Sequence, residues 1–376
     1  MVRRITEVQH PLAPIAPDFR LRSYWFAHVF IGFYLRRTLR VRRVTGGNVE
    51  TLLEMYRRFQ EGKLRFIIAF RHPFNEDGPV EFFVWSRLVR AEARRRGVRL
   101  PDLSHAHFIY SRDVPLWAGA RVGRFFSRLA AVPLLFGKVD SEGLGTLRRY
   151  LVEGRFPVAV APEAQVTYHC RRLPALAPGA AQMGFWCQEG LLKAGRSEEV
   201  YIVPIGTCYH FLDPRGRTLD RLMQLTEEQA GLPPYRVQGY TPTDGAQVFR
   251  RLVRIEEHLL DQMEAFYSRF FGVRFGKPSG PSSSRRPEGT QRRIEAVAEA
   301  ALSTAEGFFG LRRQGDFIQR VLALRRAGLE WMYRDDIPDI SALSPLAKGL
   351  ADRVAAEAFL QLRHMELVDA IGYWRA

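Results

Sequence analysis

Apolar runs without alternation recur along the chain, each flanked by segments of helical periodicity. Phe66-Ile67-Ile68-Ala69-Phe70 places five apolar residues in a row, the pattern of a strand covered on both faces rather than half exposed. Residues 131–136, 157–161 and 201–206 read as further apolar strands, and residues 106–110 as another strand interrupted by His107. Residues 48–61, 80–96, 144–153 and 177–194 read as helices, the last entered through Pro178-Gly179. This alternation predicts an α/β fold: a mixed, largely parallel sheet flanked by helices.

The same pattern divides the chain. Residues 1–22 are proline-punctuated and extended; residues 23–35, SYWFAHVFIGFYL, form an aromatic-rich helical stretch set among Arg20, Arg22, Arg36, Arg37, Arg40, Arg42 and Arg43. A bilayer span needs about 20 apolar residues, so this stretch is too short to cross. Two readings stand: an amphipathic helix lying on an anionic membrane surface, or a core helix of the domain. Residues 1–45 are therefore set apart as an N-terminal segment, with the α/β domain over 46–275 and a strong amphipathic helix at 247–270 near its end. Residues 276–291, GKPSGPSSSRRPEGTQ, read as a flexible linker. Residues 292–376 carry helical periodicity alone and predict a small accessory bundle.

Chemistry concentrates where the first apolar run stops, in RHPFNEDGP at 71–79. Pro73 disfavours helical geometry at His72, and Gly78-Pro79 with Glu81 behind them mark a helix start near Gly78. On a continuous helix, five positions separate two side chains by about 140°. The turn through Pro73 lets Asp77 reach His72 instead. Asp77 then fixes the imidazole tautomer, and the other ring nitrogen is free to take a proton from a hydroxyl. His364 and Asp369 have the same spacing, but no apolar strand precedes them and no turn residue separates them; they read as two positions on one helix.

The net charge of +16 is almost all arginine, since only Lys63, Lys138, Lys193, Lys277 and Lys348 are lysines. Such a surface attracts phosphorylated substrates, anionic lipid or nucleic acid. No RNP-like or helix-turn-helix signature supports the last. Dinucleotide-binding, Walker and metal-spaced His/Cys patterns are also missing, so neither a cofactor nor a metal is expected. His105 and His107 read as ordinary hydrogen-bonded histidines rather than a chelate. Cys170, Cys187 and Cys208 are odd in number and widely spaced, without a secretory signal ahead of them, which fits a reducing cytosolic setting.

Taken in order, His72 and Asp77, the turn carrying Arg112, Lys138 after its apolar run, Pro162-Glu163, Gly179-Ala180-Ala181 and Val203-Pro204-Ile205 resemble the sequence blocks of the glycerolipid acyltransferases. The resemblance is to the bacterial 1-acyl-glycerol-3-phosphate acyltransferase type and covers about residues 64–210. The family's first block is N-H-x-x-x-x-D, and this chain has Arg71 before the histidine. Its third block is F-P-E-G-T-R-S, against Ala161-Pro162-Glu163-Ala164-Gln165-Val166-Thr167 here. The resemblance implies catalysis by His72 and Asp77, with Arg112, Lys138, Glu163 and Gly179 binding substrate. It further implies direct transfer of a fatty acyl group from acyl-CoA or acyl carrier protein to a glycerolipid hydroxyl such as that of lysophosphatidic acid, on the cytoplasmic face of the membrane. A non-glycerolipid acceptor, or a lipid-binding relative without activity, are the alternatives.

Overall fold

Among the described residues, five short strands, β1 (Leu64–Phe70), β2 (His107–Ser111), β3 (Val132–Leu134), β4 (Val158–Val160) and β5 (Glu199–Ile205), form one sheet in the order β3-β2-β4-β1-β5, and every neighbouring pair runs parallel. The computed structural model describes residues 6–10, 13–135, 140–164, 166–167, 170, 173, 176–212, 216–276, 287–334, 336–337 and 339–374. In chain order the sheet unit comprises α1 (Leu21–Arg37), α2 (Val49–Gln60), β1 (Leu64–Phe70), α3 (Asp77–Phe83), a π-helical turn (Val84–Val89) and α4 (Arg90–Arg95). It continues with β2 (His107–Ser111), α5 (Val114–Ala118), α6 (Ala120–Arg128), β3 (Val132–Leu134), α7 (Ser141–Glu153), β4 (Val158–Val160), α8 (Gly179–Lys193) and β5 (Glu199–Ile205). The α/β expectation holds, and the described strands are parallel throughout.

The unbroken apolar run of β1 follows from its place inside the sheet, between β4 and β5. Phe66, Ile68 and Phe70 pack on Leu53, Tyr56 and Phe59 of α2 and on Trp85 and Val89. Ile67 points the other way, toward Leu147 and Leu151 of α7 and Met183, Cys187 and Leu191 of α8. Both faces are covered, so the period of two carries apolar residues at every position. Each fully buried large apolar side chain contributes about 1.5–3 kcal/mol.

Arg65 is the exception in β1. Its guanidinium donates to the carbonyls of Leu151, Tyr150 and Gly154 at 3.0, 2.9 and 3.0 Å. These lie at the end of α7, where a helix leaves its last carbonyls without intrahelical donors. Burial lowers the Arg65 pKa to about 10, which leaves it charged at neutral pH.

Helix α1 presents two faces. Tyr24, Ile31 and Leu35 are buried against the domain, where Tyr24 donates to the Ser104 carbonyl at 3.0 Å and Arg87 Nε to the His28 carbonyl at 3.0 Å. The opposite face leaves Trp25, Phe26, Val29, Phe30 and Phe33 exposed, Phe33 by 64%. The buried side fits the core-helix reading, and the other side is apolar and exposed. Among the described residues no helix is long and apolar enough to cross a membrane.

The chain divides into two units: one takes in His10–Cys208 and Tyr333–Asp339, the other Ile5–Gln9, Tyr209–Met332 and Ile340–Ala376. The division between the two units falls after Cys208. The second unit is helical, with α9 (Arg217–Ala230), α10 (Gly245–Phe271), α11 (Pro287–Phe309), α12 (Phe317–Met332) and α13 (Pro345–Trp374). Helix α10 packs on α9 and α11. Its buried Arg251 donates to Glu227 at 2.7 Å and Asp220 at 2.6 Å, which ties it to α9. Of the expected linker, residues 277–286 lie outside the described residues, and 287–291 already belong to α11.

Candidate active site

Because all five strands run the same way, the residues that follow them gather along one edge of the sheet. That edge is where open α/β sheets place their ligand sites, near the point where connections leave in opposite directions. Here the chain leaves β1 toward β2 on one side, and later leaves β4 for β5 on the other.

His72 stands two residues beyond β1. Its Nδ1 lies 3.0 Å from Asp77 Oδ2, and the Phe74 backbone N–H donates to the same oxygen at 2.8 Å. The Asp77 N–H returns a bond to the Phe74 carbonyl at 3.2 Å. The turn is closed from both ends. A carboxylate only accepts, so Nδ1 carries the proton and Nε2 holds the free lone pair. The Asp77 side chain is fully buried while His72 keeps 26% of its side chain exposed. The imidazole is anchored at one nitrogen and reachable at the ring.

The backbone of His72 is clamped as well. Its N–H donates to Glu163, and its carbonyl accepts from the Thr167 N–H at 3.0 Å. Arg71 extends the ladder to β5 through a bond from its N–H to the Ile205 carbonyl at 3.0 Å, and its guanidinium pairs with Glu163. Glu163, expected to bind substrate, has a completely buried side chain engaged by Arg71 and His72. These contacts tie the loop after β4 to the backbone at His72. Next to it, Ala164 sits at φ 55°, a left-handed conformation that costs a residue with a Cβ about 1–2 kcal/mol.

The other expected ligands fare differently. Arg112 follows β2, but its guanidinium pairs with Asp140, and the Arg112 side chain is 9% exposed. Asp140 caps α7 through the Gly143 N–H at 2.9 Å and accepts from the Leu135 N–H at 2.8 Å. A Cβ at Gly143 would meet the Asp140 carboxylate at 2.4 Å, so only glycine allows this cap. The guanidinium expected to meet the acceptor is thus engaged by Asp140. Lys138 lies outside the described residues. Gly179 opens α8 on the surface, and a bond from the Ala177 N–H to the Pro162 carbonyl at 2.8 Å ties the approach to that helix to the loop after β4.

Sequence reasoning passed over Glu81, one helical turn beyond Asp77. It is 1% exposed, and Thr207, just past β5, donates to its Oε1 at 3.3 Å. Burial, with the Asp77 carboxylate adding to it, pushes the Glu81 pKa up to about 8. The i, i+4 spacing from Asp77 was the available signal.

His105 and His107 are the hydrogen-bonded histidines expected. Their rings bond the carbonyls of Leu129 at 2.7 Å and Ala130 at 2.9 Å, and burial lowers their pKa values to about 3 and about 4, so both are neutral. Among the described residues no group of three or more His, Cys, Asp or Glu side chains is placed to hold a metal ion. His364 lies within α13, the helical context expected for it, and its Nδ1 is 2.7 Å from the Tyr267 hydroxyl. The chain matches no family model, no curated protein and no solved structure.

Proposed function

We propose that the chain is an acyl-thioester-dependent O-acyltransferase in which His72 is the general base and Asp77 orients it. The observation that carries this reading is the 3.0 Å pair of His72 Nδ1 and Asp77 Oδ2, held at the end of an interior strand with the His72 backbone fixed on both sides. His72 Nε2 removes the proton of an acceptor hydroxyl as its oxygen bonds to the thioester carbonyl carbon. The C–S bond then breaks, and the thiolate takes the proton from the imidazolium. The left-handed backbone at Ala164 also favours the reading, because glycine stands at that place in the family pattern that residues 161–167 resemble.

The donor is acyl-CoA or acyl carrier protein. For the acceptor, a lysophospholipid hydroxyl is the first candidate; engagement of Arg112 by Asp140 favours a second, a hydroxyl without a phosphate. Thiol release from long-chain acyl-CoA, measured with glycerol 3-phosphate, lysophosphatidic acid and no acceptor in parallel, decides between them. Release that requires one phosphorylated acceptor is the expected result. Indifference to both redirects the search to other hydroxyls. No release with either acyl-CoA or acyl carrier protein overturns the reading.

A lipid substrate calls for a membrane surface, and α1 supplies the chemistry on the cytoplasmic leaflet. Its exposed stripe of Trp25, Phe26, Val29, Phe30 and Phe33 recurs at helical spacing, with basic residues at both ends. Replacing Phe26, Phe30 and Phe33 with serine is expected to weaken binding to anionic vesicles about tenfold or more per residue. Vesicle sedimentation checks this, and undiminished binding places the membrane surface elsewhere.

A further inference from the structure

The loops after β4 and β5 bring together two sulfurs that the sequence separates by 38 residues. Cys170 Sγ and Cys208 Sγ lie 3.1 Å apart, with Cys170 partly exposed and Cys208 exposed. Cys187 differs from both. It is buried, its thiol donates to the Leu151 carbonyl at 3.2 Å, and burial pushes its pKa up to about 11. Thiol chemistry follows thiolate character and access, which sets Cys187 apart as inert.

We propose that Cys170 and Cys208 are a redox modification site that closes to a reversible disulfide. A disulfide needs the sulfurs at about 2.05 Å, so the pair must approach by about 1 Å, within the reach of side-chain rotation. Two thiolates on one tetrahedral zinc, at about 2.3 Å each, would stand about 3.8 Å apart. The observed spacing is tighter than that and favours the disulfide. A small-molecule disulfide serves as oxidant: one cysteine thiolate attacks it, forming a mixed disulfide and releasing one thiolate. The second cysteine then attacks the protein sulfur and releases another. Two protein S–H bonds are lost, one S–S bond forms, the reagent's S–S bond is cleaved, and the two protons end on the two thiols released.

The position gives the bond a structural consequence. Cys170 lies three residues beyond Thr167, which donates to the His72 carbonyl, and Cys208 adjoins Thr207, which donates to Glu81. Oxidation thus staples together the two loops that hold the surroundings of His72. The inference does not rest on the acyltransferase reading.

The test uses the full chain incubated with oxidised glutathione, quenched with acid, unfolded in denaturant, alkylated and digested without reduction. The expected result is that one of the three thiols, Cys187, remains alkylatable, and that a peptide pair linked through Cys170 and Cys208 appears and vanishes after dithiothreitol. Cys208→Ser should remove the linked pair and leave Cys170 as a glutathione adduct or alkylated. Three alkylatable thiols after oxidation, a link that includes Cys187, or a link between two chains would each overturn the proposal. So would stoichiometric zinc that shields both thiols in the protein as purified.

Discussion

His72→Ala is expected to lower the proposed acyl transfer by about 10²–10⁴-fold, the contribution of a positioned general base, and to leave the fold intact. The second half of that statement is what gives the first its force. The anchors of the His72 backbone are its N–H on Glu163 and its carbonyl on the Thr167 N–H, and neither involves the imidazole. The ring is partly exposed, so its loss opens no large cavity. Asp77→Asn tests the same pair from the other side. An asparagine that turns its amide toward Nδ1 makes that nitrogen an acceptor and moves the proton to Nε2, where it blocks base function. In a Ser-His-Asp triad the corresponding change lowers kcat by about 10⁴. Here Asp77 also accepts from the Phe74 N–H, so part of its effect passes through the turn itself. Turnover of both variants, measured beside their melting curves, separates the two contributions. Wild-type turnover in His72→Ala removes His72 as the base, and loss of activity that tracks loss of folding removes it as well.

The elements of the sheet were legible because their cause is local. Five apolar residues at 66–70 can be satisfied only between two strands and under two layers of helices, and that is where β1 lies. The His72–Asp77 turn was legible for a similar reason: Pro73, Gly78 and Pro79 restrict the backbone by themselves. What remained hidden depends on partners distant in sequence. Nothing near Arg112 announces Asp140, 28 residues away, and the pairing holds the expected ligand against the residue that caps α7. Glu163 was marked for its motif, but its role is set by Arg71 and His72, about 90 residues earlier. The helix after the turn was expected to be regular, yet Val84–Val89 is π-helical. The Trp85 carbonyl in that segment accepts from the Ser104 hydroxyl at 2.8 Å, a bond no periodicity encodes. The division after Cys208 was not legible, because an amphipathic helix declares that it has a buried face and not what buries it. α10 packs on α9 and α11, and its period alone fits either unit.

Glu81 leads to the largest expected effect on stability, and its sign runs against the usual behaviour of acids in proteins. Burial, reinforced by Asp77, raises its folded pKa from 4.5 to about 8. Between those values the folded protein holds a proton that the unfolded chain has released. The unfolded state thus binds fewer protons, and stability falls as pH rises through this window. The contribution is fully present below pH 4.5 and lost by about pH 8, with an upper limit of about 5 kcal/mol. Glu81→Gln keeps the shape and an acceptor for Thr207 but cannot ionise. Near pH 5 the variant should match the wild type, while near pH 8 it should be the more stable by a few kcal/mol, or about 10 °C in Tm for a unit of this size. Parallel Tm curves for the two proteins from pH 5 to 8 would show that Glu81 does not hold this proton. The same proton bears on the site. With Glu81 neutral, Asp77 is the carboxylate that the His72 imidazolium meets during transfer; ionisation of Glu81 puts a second negative charge one helical turn away and strains the buried pair. Wild-type turnover should therefore decline above about pH 8 together with stability, and Glu81→Gln should relieve both.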